Sequence, residues 1–195
     1  MAVYPACRQT LNHNTETNPV QRGMHFRWCD REWVTLDLLY DDATNCLHYL
    51  AIMKEPAWNN TVRFGEDNRW ETSEIRRRLR EEVLPTLDVT RLAEVFVDMV
   101  DESGDETYGT CKDFITLLTA DAYRAYRRWM PTYERWIWLA TPFSAFPGYA
   151  YNVRIVDTSG ALGSYLAHNA NGLVPGLCAI SSFALANGEI EIIND

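Results

Sequence analysis

Apolar and polar positions in the first part of the chain follow a pattern typical of β-strands. Glu32–Tyr40 and Asn45–Met53 are rich in aliphatic and aromatic residues, and the Asp-Asp-Ala-Thr segment 41–44 between them has turn chemistry. The pair therefore predicts a β-hairpin. Residues 1–24 show no periodicity, so we expect an irregular N-terminal arm over 1–24 and a single domain over 25–195.

The segment 72–84 has the spacing of an amphipathic helix. Thr72 or Ser73 can cap its first turn, and Pro85 cannot continue it. Its apolar residues fall at i, i+4 and i+8 and so form one stripe that faces a core. The stripe consists of Ile75, Leu79 and Val83.

A second helix is predicted over 120–130, where Thr119 supplies the cap and Pro131 follows the last turn. The residues that share one of its faces favour core packing over a ligand platform. They are Ala122, Tyr126 and Trp129.

The remaining apolar runs are short, and turn residues separate them, which predicts strands joined by hairpins. Asp157–Gly160 is a clear turn, and Asn187-Gly188 is the strongest short-range hairpin signal in the chain. Together with the two helices, these runs predict an α+β domain of mixed or antiparallel short strands. The predicted strands are Leu92–Val100, Thr110–Leu118, Arg135–Ala140, Tyr151–Val156, Ala161–Leu166, Ala179–Ala186 and Glu189–Ile193.

The charge balance excludes one class of function. The 195 residues include 27 Asp and Glu against 18 Lys and Arg, a net charge of −9. Proteins that coat DNA or RNA need a basic footprint, so direct nucleic-acid binding is not expected. No stretch approaches the ~20 apolar residues of a membrane span, and residues 1–22 lack the apolar centre of a signal peptide. We therefore expect a cytoplasmic protein that does not bind membranes.

Acidic residues concentrate in the segment 94–106, which contains no Lys or Arg. The simplest interpretation is a solvated acidic loop. The alternative is an acidic surface that binds the basic groove of a partner protein, with an affinity that depends on salt. The candidate partner-binding residues are Glu94, Asp98, Asp101, Glu102, Asp105 and Glu106.

No cofactor or metal is predicted. The chain has no Walker loop, no GxGxxG, no HExxH and no GxSxG, and its five cysteines form no CxxC pair. Asp101-x-Ser103-x-Asp105 begins like a calcium loop, but Glu106 stands where that loop needs Gly. Cys178 as a nucleophile remains open, as does His168 in an Asn- and Gly-rich loop as part of a polar site.

Five short motifs follow one another along the chain: Trp70-Glu-Thr-Ser-Glu-Ile-Arg76, Ile115-Thr-Leu-Leu-Thr119, Ile137-Trp-Leu-Ala-Thr141, Val153–Gly160 and Gly172-Leu-Val-Pro-Gly-Leu177. In this order they resemble a domain family of uncharacterised function that is common in anaerobic gut bacteria and their phages. The resemblance implies a C-type-lectin-like fold, as in formylglycine-generating enzymes, over about residues 25–180. Ala140 and Val174 stand where the family has arginines, which implies a scaffold that has lost any inherited polar pocket.

These observations leave three functions open. The first is a non-enzymatic acidic binding protein of phage or mobile-element origin that inhibits a host protein with a basic surface, such as a nucleic-acid-handling defence enzyme (anti-CRISPR-like). The second is a lectin-like module of a virion or cell surface that recognises a glycan or receptor through the aromatic C-terminal third. The third is an enzyme that uses a cysteine such as Cys178. The lack of a catalytic motif favours the first.

Overall fold

Short apolar runs separated by turn residues fold into antiparallel sheets that pack with three helices. The computed structural model describes residues 20–41 and 45–193. Within these ranges the strands are β1 (His25–Trp28), β2 (Arg31–Asp41), β3 (Cys46–Met53), β4 (Leu92–Ala93), β5 (Val95–Asp98), β6 (Thr110–Asp113), β7 (Ile137–Pro142), β8 (Asn152–Val156), β9 (Leu162–Leu166), β10 (Leu177–Ser181) and β11 (Glu191–Ile193), and the helices are α1 (Glu74–Arg78), α2 (Ala120–Tyr126) and α3 (Phe183–Ala186). They form a six-stranded sheet of order β11-β1-β2-β3-β10-β4, a β5-β6 pair and a three-stranded β7-β8-β9 sheet. The predicted α+β class with short antiparallel strands is confirmed.

The hairpin predicted from the first two apolar runs is confirmed and forms the centre of the largest sheet. β2 and β3 pair antiparallel, with a register irregularity between Thr35 and Asp37. Its turn at 42–44 lies outside the described residues. The second predicted hairpin, β8-β9 around Asp157–Gly160, is confirmed as well.

The central strands of the six-stranded sheet are buried on both faces, which explains why they are apolar at successive positions. On β3, Tyr49 and Ala51 pack into one core cluster, whereas Leu50 and Ile52 pack into another. Four tryptophans are nearly fully buried in the first cluster: Trp28, Trp33, Trp70 and Trp138. These indole rings therefore stabilise the fold and are not available to a ligand.

The first predicted helix occupies its predicted segment but changes its winding. Ser73 is the cap, and its side chain accepts a hydrogen bond from the Arg76 backbone N–H at 3.1 Å. α1 continues into a π-helical turn (Leu79–Val83) and a 3-10 turn (Leu84–Thr86). The predicted apolar stripe is buried throughout: Ile75, Leu79 and Val83.

The second predicted helix is α2 followed by a 3-10 turn, Arg127–Trp129. Thr119 is the cap and accepts a hydrogen bond from the Ala122 backbone N–H at 3.2 Å. Ala122 and Tyr126 are buried and Trp129 is partly buried against the core, so the core-packing interpretation of this face is confirmed. No helix in the described ranges is long and apolar enough to cross a membrane.

The hairpin predicted at Asn187-Gly188 is wrong, because these residues end a helix. Gly188 has φ +73°, its N–H donates to the Leu185 carbonyl at 3.0 Å, and the Glu189 N–H donates to the Ala184 carbonyl at 2.8 Å. This pair of bonds is the Schellman motif that closes a helix C-terminus. Both edges of β10 already pair, with β3 and β4, so β11 pairs with β1 instead.

Two predicted strands are shorter than their apolar runs. The predicted strand Leu92–Val100 divides at Glu94 into β4 and β5, which belong to different sheets. The cause is a break in the alternation of buried and exposed residues, since Leu92 and Val95 are both buried although they are three positions apart. Thr110–Leu118 contributes β6 only as far as Asp113, and Thr116 then forms an isolated bridge to β10.

The N-terminal part of the domain begins before β1. Of the predicted arm, residues 1–19 lie outside the described residues. Val20 is buried, the Gly23 N–H donates to the Thr35 carbonyl at 2.7 Å, and the Thr35 N–H donates to the Met24 carbonyl at 3.0 Å. Residues 20–24 are therefore packed on the large sheet.

Candidate functional site

Among the six acidic residues singled out from the sequence, Glu94 lies apart from the loop that contains the last four. Glu94 precedes β5 and lies 3.8 Å from the Lys112 ammonium, whereas Asp98 ends the same strand. At about 3.3 Å per residue, the strand separates Glu94 from the loop that follows by more than ~10 Å. We call the segment 101–106, which follows β5, the acidic loop.

Asp101 is buried and holds the acidic loop in shape. Its Oδ1 accepts hydrogen bonds from the backbone N–H of Ser103 at 2.8 Å and of Asp105 at 3.0 Å, and from the Ser103 hydroxyl at 2.7 Å. Its Oδ2 accepts the backbone N–H of Ala145 at 2.8 Å. Burial acts to raise the pKa of Asp101, but these hydrogen bonds outweigh it and hold the pKa below its ordinary value. Asp101 therefore organises the loop, and its carboxylate is occupied from within the chain.

The exposed charge of the acidic loop comes from the residues after Asp101. Of these residues, Glu102 forms an ion pair: its Oε2 lies 2.8 Å from Arg154 Nε. The N–H of Arg154 Nε is not aligned for a hydrogen bond. Asp105 accepts the Thr107 backbone N–H at 2.8 Å and stays exposed, as does Glu106. Asp105 and Glu106 are thus the acidic side chains that this loop presents to solvent.

Ala145, the residue that binds Asp101, belongs to a second loop that exposes four aromatic rings. We call residues 143–151, between β7 and β8, the aromatic loop. Phe146 is 64% exposed and Tyr149 is 58% exposed, and their ring centroids lie 6.3 Å apart. The other exposed rings of this loop are Phe143 and Tyr151. Large apolar groups left in solvent on one short loop are typical of an interaction surface.

A tight turn forms the tip of the aromatic loop. The Tyr149 N–H donates to the Phe146 carbonyl at 3.0 Å, and Gly148 has φ +94°. Pro147 and Gly148 occupy the two central positions, as in a type II turn. This loop was not among the sites predicted from the sequence, although its Pro-Gly pair between aromatic residues is a turn signal.

A buried asparagine holds the base of the aromatic loop. Asn68 is fully buried, and its Nδ2 donates to the carbonyls of Ser144 at 2.8 Å and Asn152 at 3.0 Å. Its backbone N–H donates to the Ala150 carbonyl at 3.1 Å. Its Oδ1 accepts the hydroxyl of Tyr108, which follows the acidic loop, at 3.0 Å. Asn68 and Asp101 thus join the two loops at separate points, and we call the exposed side chains of both loops the acidic–aromatic surface.

A cavity of about 220 Å³ lies between the acidic loop and the first turn of α2. Burial raises the pKa of Asp98 inside it, and the Glu106 carboxylate raises that pKa further. Among the described residues, no group of three or more His, Cys, Asp or Glu side chains could hold a metal ion. The charged residues that line this recess are Asp98, Asp101, Glu102, Asp121 and Arg124.

The other residues singled out from the sequence lie away from this surface or inside the core. Cys178 is fully buried in β10, and burial raises the pKa of its thiol far above the ordinary value, so the thiolate that a nucleophile needs is disfavoured. His168 is exposed in the loop after β9. Ala140 and Val174 are both buried, so these positions contribute apolar packing to the core.

The chain matches no protein-family model, no curated protein and no solved structure. The family resemblance read from the five motifs stays a prediction.

Proposed function

We propose that this chain is a non-enzymatic protein-binding module and that the acidic–aromatic surface is its binding site. One observation carries the proposal. Two buried polar side chains, Asp101 and Asn68, are committed to holding loops whose other side chains are exposed aromatic rings and carboxylates. A buried polar group is costly unless all its bonds are made, and here the bonds serve the shape of an exposed surface.

This arrangement suits recognition of a protein. Aromatic side chains dominate the binding energy of protein interfaces, because they bury a large area with few rotatable bonds. A loop that is already ordered loses little conformational freedom on binding, which improves affinity. Phe146 and Tyr149 are the anchors we propose.

The charges of the surface define the partner. Asp105 and Glu106, on the loop that Asp101 bonds to the aromatic loop, favour a partner with a basic surface, and they would accelerate encounter at low salt. The proposed partner is a cytoplasmic nucleic-acid-handling enzyme of a bacterial host, whose groove is basic and which the module would inhibit by occupying that groove. The choice of a bacterial host follows from the predicted resemblance to a phage and gut-anaerobe family.

Affinity capture followed by variant binding tests the proposal. The tagged protein is incubated with nuclease-treated bacterial lysate, and retained proteins are identified by mass spectrometry and purified. We expect Phe146→Ala/Tyr149→Ala to weaken the purified complex by about thirtyfold or more, corresponding to ~2 kcal/mol. The matched control is Phe183→Ala, which removes a similarly exposed ring on α3.

The acidic part of the surface is tested by charge reversal. We expect Asp105→Lys/Glu106→Lys to slow association and to flatten its dependence on salt. Glu55→Lys/Glu71→Lys makes the same change of charge at exposed positions on other loops and should have a small effect. Equal losses in both double variants would show that net charge alone drives binding and would refute the proposed site.

The lectin-like alternative would use the same exposed rings to stack on sugars. A glycan array with the wild type and the Phe146→Ala/Tyr149→Ala variant separates the two functions. Binding to a defined glycan that this variant abolishes would replace the protein-binding proposal, whereas no glycan signal together with a loop-dependent protein complex would support it.

A further inference from the structure

Most Lys and Arg residues in the described ranges form ion pairs, and of the six that form none, two line the same cavity. Arg127 and Arg135 form no ion pair with any residue of 20–41 or 45–193, whereas eleven of the chain's other Lys and Arg residues do. Both arginines are exposed, and both line one cavity of about 170 Å³. A second cavity of about 330 Å³ adjoins it, sharing Arg135 and Thr158 and including Trp136. We call the two cavities together the arginine cleft.

Hydrogen bonds from two tyrosine hydroxyls join the segments that line the arginine cleft to the rest of the fold. The Tyr123 hydroxyl donates to the Gly160 carbonyl at 2.8 Å, which fastens α2 to the turn between β8 and β9. Gly160 has φ +79°, a conformation that glycine adopts without strain, and a Cβ built at this position would lie 2.9 Å from Arg127 Nη2, so this guanidinium lies against the turn. Tyr133, which also lines the first cavity, donates its hydroxyl hydrogen to the Met53 carbonyl at 2.6 Å.

The acidic residue that lines the first cavity is engaged within its own turn. Asp157 Oδ1 accepts the backbone N–H of Ser159 at 2.8 Å and of Ala161 at 3.0 Å, and the Ser159 hydroxyl at 2.6 Å. These hydrogen bonds stabilise its charge locally, and Asp157 forms no ion pair with either arginine in the described structure.

Stabilisation of α2 explains the position of Arg127 but not that of Arg135. Arg127 follows the last residue of α2, where a cation interacts favourably with the helix dipole. Arg135 comes from the segment that precedes β7, so the dipole gives no reason for it to lie at the same cavity. Two guanidinium groups from separate segments that line one cavity are typical of oxyanion recognition.

We propose that the arginine cleft binds a small phosphorylated ligand, with the phosphate at Arg127 and Arg135 and a planar group in the adjoining cavity beside Trp136. The ligand class is therefore a nucleoside monophosphate or a molecule of similar chemistry. This inference is independent of the acidic–aromatic surface and of the protein partner proposed for it.

Titration of the folded protein with three probes tests the inference: AMP, inorganic phosphate and adenosine, each followed by two-dimensional NMR of backbone amides at constant ionic strength. We expect AMP to bind more tightly than phosphate, adenosine to bind most weakly, and the shifted amides to lie at residues 123–136 and 156–160. Arg127→Gln and Arg135→Gln should each weaken AMP binding about tenfold or more. Both side chains are exposed and form no ion pair within residues 20–41 and 45–193, so we expect these variants to keep the fold.

Arg128→Gln is the matched control, because it removes the same charge at the neighbouring position, where the guanidinium lies over the Trp129 ring instead of in the cleft. It should leave AMP affinity nearly unchanged. Equal weakening by all three substitutions, equal binding of adenosine and AMP, or absence of binding at millimolar AMP would each overturn the inference. Binding of phosphate as tightly as AMP would refute the planar part of the site.

Discussion

Replacing Asp101 by Asn removes the charge that joins the acidic and aromatic loops while keeping the size of the side chain. In the wild type, Oδ1 accepts three hydrogen bonds from Ser103 and Asp105, and Oδ2 accepts one from Ala145. An asparagine that keeps its oxygen towards Ser103 must turn its NH₂ group towards the Ala145 N–H. Two donors then face each other at a buried position, and the Ala145 N–H loses its acceptor.

The expected destabilisation follows from these bonds. An unsatisfied buried donor costs about 1–3 kcal/mol, and the three remaining bonds weaken because their acceptor is no longer charged. Burying a neutral amide instead of a carboxylate offsets part of this loss. We expect a decrease of about 2–4 kcal/mol in the free energy of unfolding at pH 7. In a chain of this length, 3 kcal/mol corresponds to a Tm lower by roughly 6–12 °C.

The dependence on pH identifies the cause. The pKa of Asp101 is lower in the folded state than in the unfolded chain, so its contribution is present above the unfolded pKa of about 3.9 and is lost as pH falls through the folded pKa. The difference between wild type and Asp101→Asn should therefore shrink as pH falls below about 4. The assay is urea unfolding followed by tryptophan fluorescence at a series of pH values.

Asp105→Asn is the control, because this exposed carboxylate bonds only within its own turn, to Thr107, in the described structure. It should cost less than about 1 kcal/mol. A loss below 1 kcal/mol for Asp101→Asn, or a loss that stays constant from neutral to acidic pH, would refute the role given to the Asp101 carboxylate.

Three further predictions concern the core. Gly172→Ala would place a Cβ 2.4 Å from the buried Trp138 Nε1, so we expect about 1–3 kcal/mol of destabilisation from overpacking, measured by urea unfolding. Asp113→Ala would leave the guanidinium of Arg76, now 2.9 Å from Asp113 Oδ2, without its buried partner, and should cost about 3–5 kcal/mol in the same assay. The Cys178 thiol should not react with a thiol-specific reagent until the protein unfolds, as peptide mapping of the labelled site would show.

Each of these predictions has either a control variant or a result that would contradict it. A Cβ at Gly163 would make only ordinary contacts at 3.4 Å with Ile155, so Gly163→Ala should be much milder than Gly172→Ala. Asp121→Ala removes an exposed helix ion pair and should cost well under 1 kcal/mol. Labelling of Cys178 in the native protein at the rate seen in denaturant would contradict its burial.

The sequence predicted those helices and strands that are stabilised by contacts between residues close together in the chain. Ser73 and Thr119 cap helices because a hydroxyl at that position accepts an N–H from within the same turn, and such pairs can be read from neighbouring residues. The β2-β3 hairpin followed in the same way from two apolar runs and the turn residues between them.

Features that depend on distant neighbours escaped prediction. The Asn-Gly pair at 187–188 suits both a hairpin turn and a helix end. Both edges of β10 pair with distant strands, β3 and β4, so neither is open to a hairpin with β11. Asn68 bonds to carbonyls 76 and 84 residues away along the chain, so no window of sequence around it reveals its role. The acidic residues can be identified in the sequence, but only the tertiary structure shows that Asp101 is buried and Asp105 is exposed.

The pairing of β1 with β11 has a consequence for how the chain folds. The two strands meet across most of the sequence, as the contact between Arg27 and Glu191 shows, and β3 likewise waits for β10. During synthesis β1, β2 and β3 can pair early, but β10, which pairs with β3, and β11, which pairs with β1, are made only in the last part of the chain. The nascent chain therefore carries open strand edges for most of its elongation, which slows folding and makes this stage the one most exposed to aggregation.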